Sequence, residues 1–198
     1  MPRPRVYDDA VRRRLLDLTA RRLADGGEPA VSLRDLVREA GTSTSAVYAL
    51  FGSRDRLVEA VRAEAFTRFA AALDAAGRTG DPGRDLLELG LAYRSNALAE
   101  PHLYRVMFAG AGEPAPGQGA TEQSARTLGE PTFVVLRTAV ARVVGADAAL
   151  EVALRVWALA HGLVSLELAG QLPGDAQERA DRYADALAVV GPLLSRGS

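Results

Sequence analysis

The sequence predicts an all-α protein of about nine helices, a small N-terminal three-helix unit followed by a larger helical domain. Three observations carry that reading. Apolar residues recur at i, i+3, i+4 and i+7 in one segment after another. Clusters of Gly and Pro near residues 26–29, 77–83, 112–117 and 170–174 separate these segments. Alternating runs are short and no hairpin-type turns join them, so no strand is expected.

Asp8 or Asp9 can cap a first helix running to about Asp25. Val11, Leu15, Leu18 and Leu23 form its buried side, and its arginines form the wet side. The stretch Ser32 to Arg56 then reads as two short helices and the start of a third. Ser32 with Asp35 makes a capping box. Leu33, Leu36, Val37 and Ala40 share one face, and Gly41 can take the left-handed conformation that ends a helix. Thr42 and Ser43 are good caps for the next helix, which buries Ala46, Val47, Leu50 and Phe51 and is stopped by Gly52. A long helix follows from Ser53 to about Ala76, with an apolar stripe from Leu57 to Leu73. Its position makes it a natural transmission element between the two parts.

Further helices are expected at about Arg84–Ala99, from Pro101 through Gly110, at Pro131–Val144, Asp147–Gly170 and Asp175–Ser195, with a loop at Ala111–Ala120. The segment Asp147–Gly170 is apolar on nearly all sides, which demands burial all round. A second subunit would supply the missing cover, through a four-helix bundle of the last two helices and their copies.

Composition sets the outer bounds. The chain has 198 residues, 48% of them apolar, and no cysteine, so neither a disulfide framework nor a thiolate metal site is expected. The polar start MPRPRVYDDAVRRR lacks the apolar core of a leader. No run of about 18 apolar residues stands out as a membrane span. These features point to a cytoplasmic protein with no membrane partner. Net charge is −1, but residues 1–56 carry +3 and the remainder −4. The positive end is the end with the helical hairpin.

Two helices joined by a three- or four-residue turn containing Gly fit a helix-turn-helix, whose second helix can read a DNA major groove. Such a helix needs small or hydrogen-bonding residues outside, and Thr44, Ser45 and Ala49 qualify. Tyr48 offers a hydroxyl to a phosphate, and Arg54 a charge at the groove rim. Arg3 and Arg5, between prolines, suit either a basic arm along DNA or a free tail. An ordinary helical hairpin in a homodimer that binds small molecules or proteins remains the other reading.

The hairpin and its flanks resemble the TetR/AcrR family of transcriptional regulators. The carrying residues are Ser32-Leu33-Arg34-Asp35, Ala40-Gly41, Ser43, Val47-Tyr48, Phe51 and Ser53-Arg54-Asp55. Tyr93, Pro101, Leu103-Tyr104-Arg105, Met107-Phe108, Trp157 and His161-Gly162 resemble the C-terminal domain named for its Trp, His and Gly. The resemblance implies a DNA-binding domain at 1–52 and a ligand-binding and dimerisation domain at 53–198. It also implies a homodimeric repressor on a palindromic operator, released by a small-molecule effector. DNA contacts are expected from Arg34, Ser43, Thr44, Ser45, Tyr48 and Arg54, with the Arg3/Arg5 arm. Family members often carry Lys where Thr44 stands and a ring near Ala49 and Leu50, so contacts here lean toward phosphate.

Phe66, Phe69, Tyr93, Tyr104, Met107, Phe108, Trp157 and His161 are either core packing or the wall of the effector pocket. With one His and few charges among them, the effector is expected to be largely apolar with one or two polar groups. His161 shares a helix face with Trp157, four residues before it. It suits a packed core histidine or a pocket donor better than a metal ligand, since no His or carboxylate stands three or four positions away. No G-x-S-x-G elbow and no phosphate-cradling Gly motif is present, so neither an enzyme nor a cofactor is expected.

Overall fold

The computed structural model describes residues 9–76, 78–108 and 128–194, with side chains to residue 188. Among them are nine α-helices and no strand. These are α1 (Asp9–Gly26), α2 (Leu33–Ala40), α3 (Thr44–Phe51), α4 (Arg54–Asp74), α5 (Pro82–Ala99), α6 (Pro101–Phe108), α7 (Pro131–Val144), α8 (Ala149–Leu168) and α9 (Ala176–Leu194). One boundary differs from expectation. Residues Asp81-Pro82-Gly83 read as loop, yet Pro82 opens α5 and the Asp81 carboxylate accepts from Gly83 N at 2.9 Å and Arg84 N at 3.2 Å. A proline whose missing N–H falls in the first helical turn starts a helix instead of breaking a chain. The expected loop at Ala111–Ala120 and the Arg3/Arg5 arm lie outside the described residues.

The chain divides into two compact units. One comprises residues 1–65 and 102–113, the other 66–101 and 114–198. The first unit takes the opening of α4 and nearly all of α6.

In the first unit Leu15, Leu16, Leu36, Val47, Leu57 and Val106 are almost fully buried. Leu16 and Ala20 are buried on α1, while Val11 and Leu18 are only half-buried. Arg14 Nη1 donates to Ala40 O at 3.3 Å and Arg22 pairs with Glu39 at 2.7 Å, fixing α1 against α2.

In the second unit α5, α7, α8 and α9 surround a core of Phe133, Val140, Ala149, Val152, Ala153 and Val156. Four side-chain ties set the register. Asp85 at the start of α5 meets Arg142 at the end of α7 at 3.0 Å, so these helices are antiparallel. Arg94 forks onto Glu167 of α8 at 2.7 and 2.6 Å. The Tyr93 hydroxyl meets His161 Nδ1 at 3.3 Å, and the Tyr183 hydroxyl donates to Gly90 O at 3.0 Å. Between α5 and α9 the approach is close: a Cβ on Gly90 would lie 2.5 Å from Leu187 Cδ1.

By length and composition helix α8 is apolar enough to cross a membrane, although no unbroken apolar run marks it in the sequence. Its Val152, Val156, Ala160 and Val164 pack inward and Glu167 is ion-paired, as in a helix of a bundle. Leu166 is 41% exposed and Ala158 is exposed, so among the described residues the apolar outer side is not covered.

Candidate nucleic-acid interface and ligand cavity

The hairpin is built by its caps. Ser32 Oγ accepts from Asp35 N at 3.4 Å and opens α2. Gly41 closes it at φ 67°, a left-handed conformation that favours glycine. Only Gly41, Thr42 and Ser43 separate α2 from α3. Ser43 Oγ then accepts from Ala46 N at 3.3 Å and lies 2.9 Å from Ser45 Oγ. Ala46, Val47 and Phe51 are buried beneath α3. Thr44, Ser45, Tyr48 and Ala49 are therefore left facing out, with Tyr48 55% exposed. Leu50, expected in the core, is half-buried.

The described candidates do not share one role. Arg34 is exposed on the first turn of α2. The Ser43 hydroxyl is engaged as a cap. Arg54 is turned inward: its Nε donates to Val31 O at 3.1 Å, one Nη donates to Glu28 O, and the other pairs with Asp55 at 3.4 Å. It straps the start of α4 to the turn before α2, which corrects its reading as a groove-rim charge. Arg56 is exposed, and its guanidinium lies beside Gly52 at the end of α3.

The second unit holds a cavity of about 470 Å³. Leu86, Leu87, Leu89, Leu136, Val156 and Leu187 give it apolar walls. Of the eight expected pocket residues, Tyr93 and Trp157 line it. Phe69 packs edge-on against Tyr93, ring centroids 5.0 Å apart, and lies behind the wall. Phe66 does not line it either. Tyr104, Met107 and Phe108 belong to the first unit, where Tyr104 and Met107 are core and Tyr104 stacks obliquely on Phe108. Aromatic spacing on α6 marked a buried face correctly but could not say which unit buried it.

His161 also stands behind the wall. Its ring lies 5.6 Å from Trp157, with Nδ1 on the Tyr93 hydroxyl and Nε2 3.5 Å from Ser165 Oγ. Burial holds its pKa below the usual histidine value and favours the neutral ring. A neutral imidazole tied to Tyr93 fixes the ring of a cavity-lining residue. Asp85, at the opposite end of α5, is held below the ordinary carboxylate range. The Thr79 N–H at 2.6 Å is the main cause, joined by the Thr79 hydroxyl and Arg142 and opposed by desolvation. No three His, Asp or Glu side chains gather as metal ligands among the described residues.

A capped helix-turn-helix with a small-residue outer face, on a chain with a separate helical unit enclosing an apolar cavity, defines an all-α protein of the helix-turn-helix regulator class. Comparison with known proteins is specific. The family described as bacterial regulatory proteins, tetR family, matches residues 15–61, and the tetracyclin repressor-like C-terminal domain matches residues 86–188. The chain belongs to the TetR family.

Among curated proteins it is similar to HTH-type transcriptional regulator Rv1816 of Mycobacterium tuberculosis, 30% identical over 130 residues. That match covers 64% of this chain and 53% of the relative, so the chain spans about half the length of the curated relatives it matches. A protein of unknown function from Rhodococcus sp. RHA1 is 27% identical with a TM-score of 0.70, covering 99% of this chain and 98% of that one. A TetR-like transcriptional regulator from the same organism shares the fold at 20% identity, TM-score 0.68, with 98% and 100% covered.

Proposed function

We propose that the chain is a ligand-responsive transcriptional repressor that acts in the cytoplasm as a homodimer on a palindromic operator. Residues 1–52 bind DNA through α3, and residues 53–198 bind the effector and dimerise through α8 and α9. The observation that carries this is the outer face of α3, where Thr44, Ser45, Tyr48 and Ala49 stand clear above a closed core. Small residues let the helix approach base edges, and Tyr48 with Arg34 and Arg56 suits phosphate oxygens. Uncovered Ala158 and Leu166 on α8 support dimerisation there. Two α3 helices about 34–36 Å apart would span one helical turn of duplex. Effector in the 470 Å³ cavity would alter that spacing through α4, which contributes to both units.

The test is selection of bound duplexes from random DNA with the purified protein, followed by titration of Tyr48→Ala on the selected site. A palindromic consensus, lost affinity in the variant and an unchanged oligomeric state are expected. No enriched sequence, or a variant whose oligomeric state changes, would sink the reading. Salt dependence gives a second readout, since each phosphate neutralised adds about −0.9 to the log–log slope.

A further inference from the structure

The cavity has one charged residue in its wall. Arg84 lies exposed on the first turn of α5, and among the described residues no side chain pairs with its guanidinium. The nearest acids in sequence are Asp81, which caps α5, Asp85, which faces Thr79 and Arg142, and Glu88, half-buried one turn on and a surface neighbour of Arg84 at i+4. The rest of the wall is leucine, valine, alanine and ring, with Thr132 and Tyr93 as its hydroxyls.

The register gives the space a direction. Asp85 against Arg142 sets the end of α7 beside the start of α5, so Val143 and Arg84 mark one end. Tyr93, Trp157 and Thr132 mark the other. From Arg84 to Tyr93 is nine residues of α5, roughly 13 Å at the helical rise. Its volume holds on the order of fifteen atoms at the share a water takes in the liquid. A carboxylate at the exposed Arg84 keeps contact with water while its apolar body fills the wall, whereas a bulky polyanion would place charge against leucine at a cost nothing in the wall offsets.

We propose that the cavity takes a small amphipathic carboxylate, a medium-chain or aryl-alkyl acid. The carboxylate sits on Arg84 and the apolar body runs inward toward Tyr93 and Trp157. This rests on the reading of the cavity as the effector site and specifies its ligand. The planar guanidinium matches a carboxylate in a forked pair. Gly90 lets Leu187 of α9 lie directly against α5 in the cavity wall.

Trp157 is the single tryptophan of the chain, so its fluorescence reports this cavity directly. The full chain is titrated with decanoate, decanol and decylamine below their micelle concentrations. Decanoate is expected to bind about tenfold more tightly than decanol, as a charged hydrogen bond at a rim contributes, and decylamine more weakly than both. In Arg84→Gln the preference for decanoate over decanol should vanish while decanol binding stays the same. Orientation is read with brominated acids, 10-bromodecanoate quenching Trp157 strongly and 2-bromodecanoate weakly. Equal affinity for decanoate and decanol, an unchanged preference in Arg84→Gln, or reversed quenching overturns the carboxylate assignment while leaving the cavity a ligand site. Absence of any Trp157 response to all three probes overturns the assignment and the effector site with it. Binding without operator release leaves the assignment standing and counts against the regulatory reading alone.

Discussion

The two units place their candidate sites in opposite ways. In the first, the side chains proposed to act stand outside a closed core, Thr44, Ser45, Tyr48 and Ala49 above Ala46, Val47 and Phe51. In the second they line a void of about 470 Å³, and wall atoms facing it lack packing partners on that side. The surface site needs only local devices, two serine caps and Gly41. The cavity needs ties between helices distant in sequence, among them Arg94–Glu167, Tyr93–His161 and Tyr183–Gly90. One site is written over a dozen adjacent residues, the other over a hundred.

The largest expected effect tests whether the units are separate in stability as well as in construction. Leu36 is fully buried in the first unit. Truncation to Ala should cost about 2–5 kcal/mol, the range for a core leucine. Circular dichroism should then lose part of its helix signal early on heating, while Trp157 fluorescence, in the second unit, keeps its transition. Coincident shifts in both signals would show the units unfolding as one and break the comparison.

Arg94→Met probes the other side. Glu167 is 8% exposed and Arg94 15%. Removing the cation leaves Glu167, among the described residues, with the longer contact to Arg179 at 3.5 Å. Breaking a buried pair this way should cost about 2–3 kcal/mol, Arg179 offsetting part of the usual penalty. The Trp157 transition should fall. A shift confined to the first unit would contradict the assignment of these ties to the cavity.

How far the sequence foretold each site follows from the same contrast. Capping, the Gly41 stop and the exposed face of α3 depend on residues within four positions of one another, and all were legible. Arg54 was misread because Ser-Arg-Asp shows a charge near the hairpin but not that Val31 and Glu28 carbonyls, more than twenty residues back, lie within its reach. The cavity was legible only at Tyr93 and Trp157. Nothing in the sequence marks Leu86, Leu136 and Leu187 as cavity wall, since whether an apolar face packs or leaves space depends on register between helices, and register rests on pairs 57 to 93 residues apart.

Arg54 and Arg56 offer a sharper and smaller test. Arg54→Met should destabilise the first unit by about 1–2 kcal/mol, the worth of hydrogen bonds from a charged group to partly buried carbonyls. It should leave the salt slope of DNA binding unchanged at temperatures where the unit is folded. Arg56→Gln should do the reverse, leaving the melt alone and lowering the slope by about 0.9. Exchanged outcomes would restore Arg54 as the phosphate contact.

The smallest effect concerns His161. Burial holds its folded pKa below 6.5, so the folded chain resists a proton that the unfolded chain accepts. Above pH 6.5 both states are neutral and His161 adds no pH dependence. As pH falls below 6.5 the unfolded state gains the proton first, and stability declines until the folded pKa is reached. Asp85 works in the same direction at lower pH, its stabilisation being lost as pH falls below 3.8 through its depressed value. The Trp157-detected melting temperature should therefore drop modestly between pH 6.5 and 5 in the parent chain. In His161→Phe that slope should flatten while the acid limb remains, because the ring is gone and Asp85 still faces Thr79 and Arg142. An unchanged slope in the variant would mean that His161 does not titrate against folding.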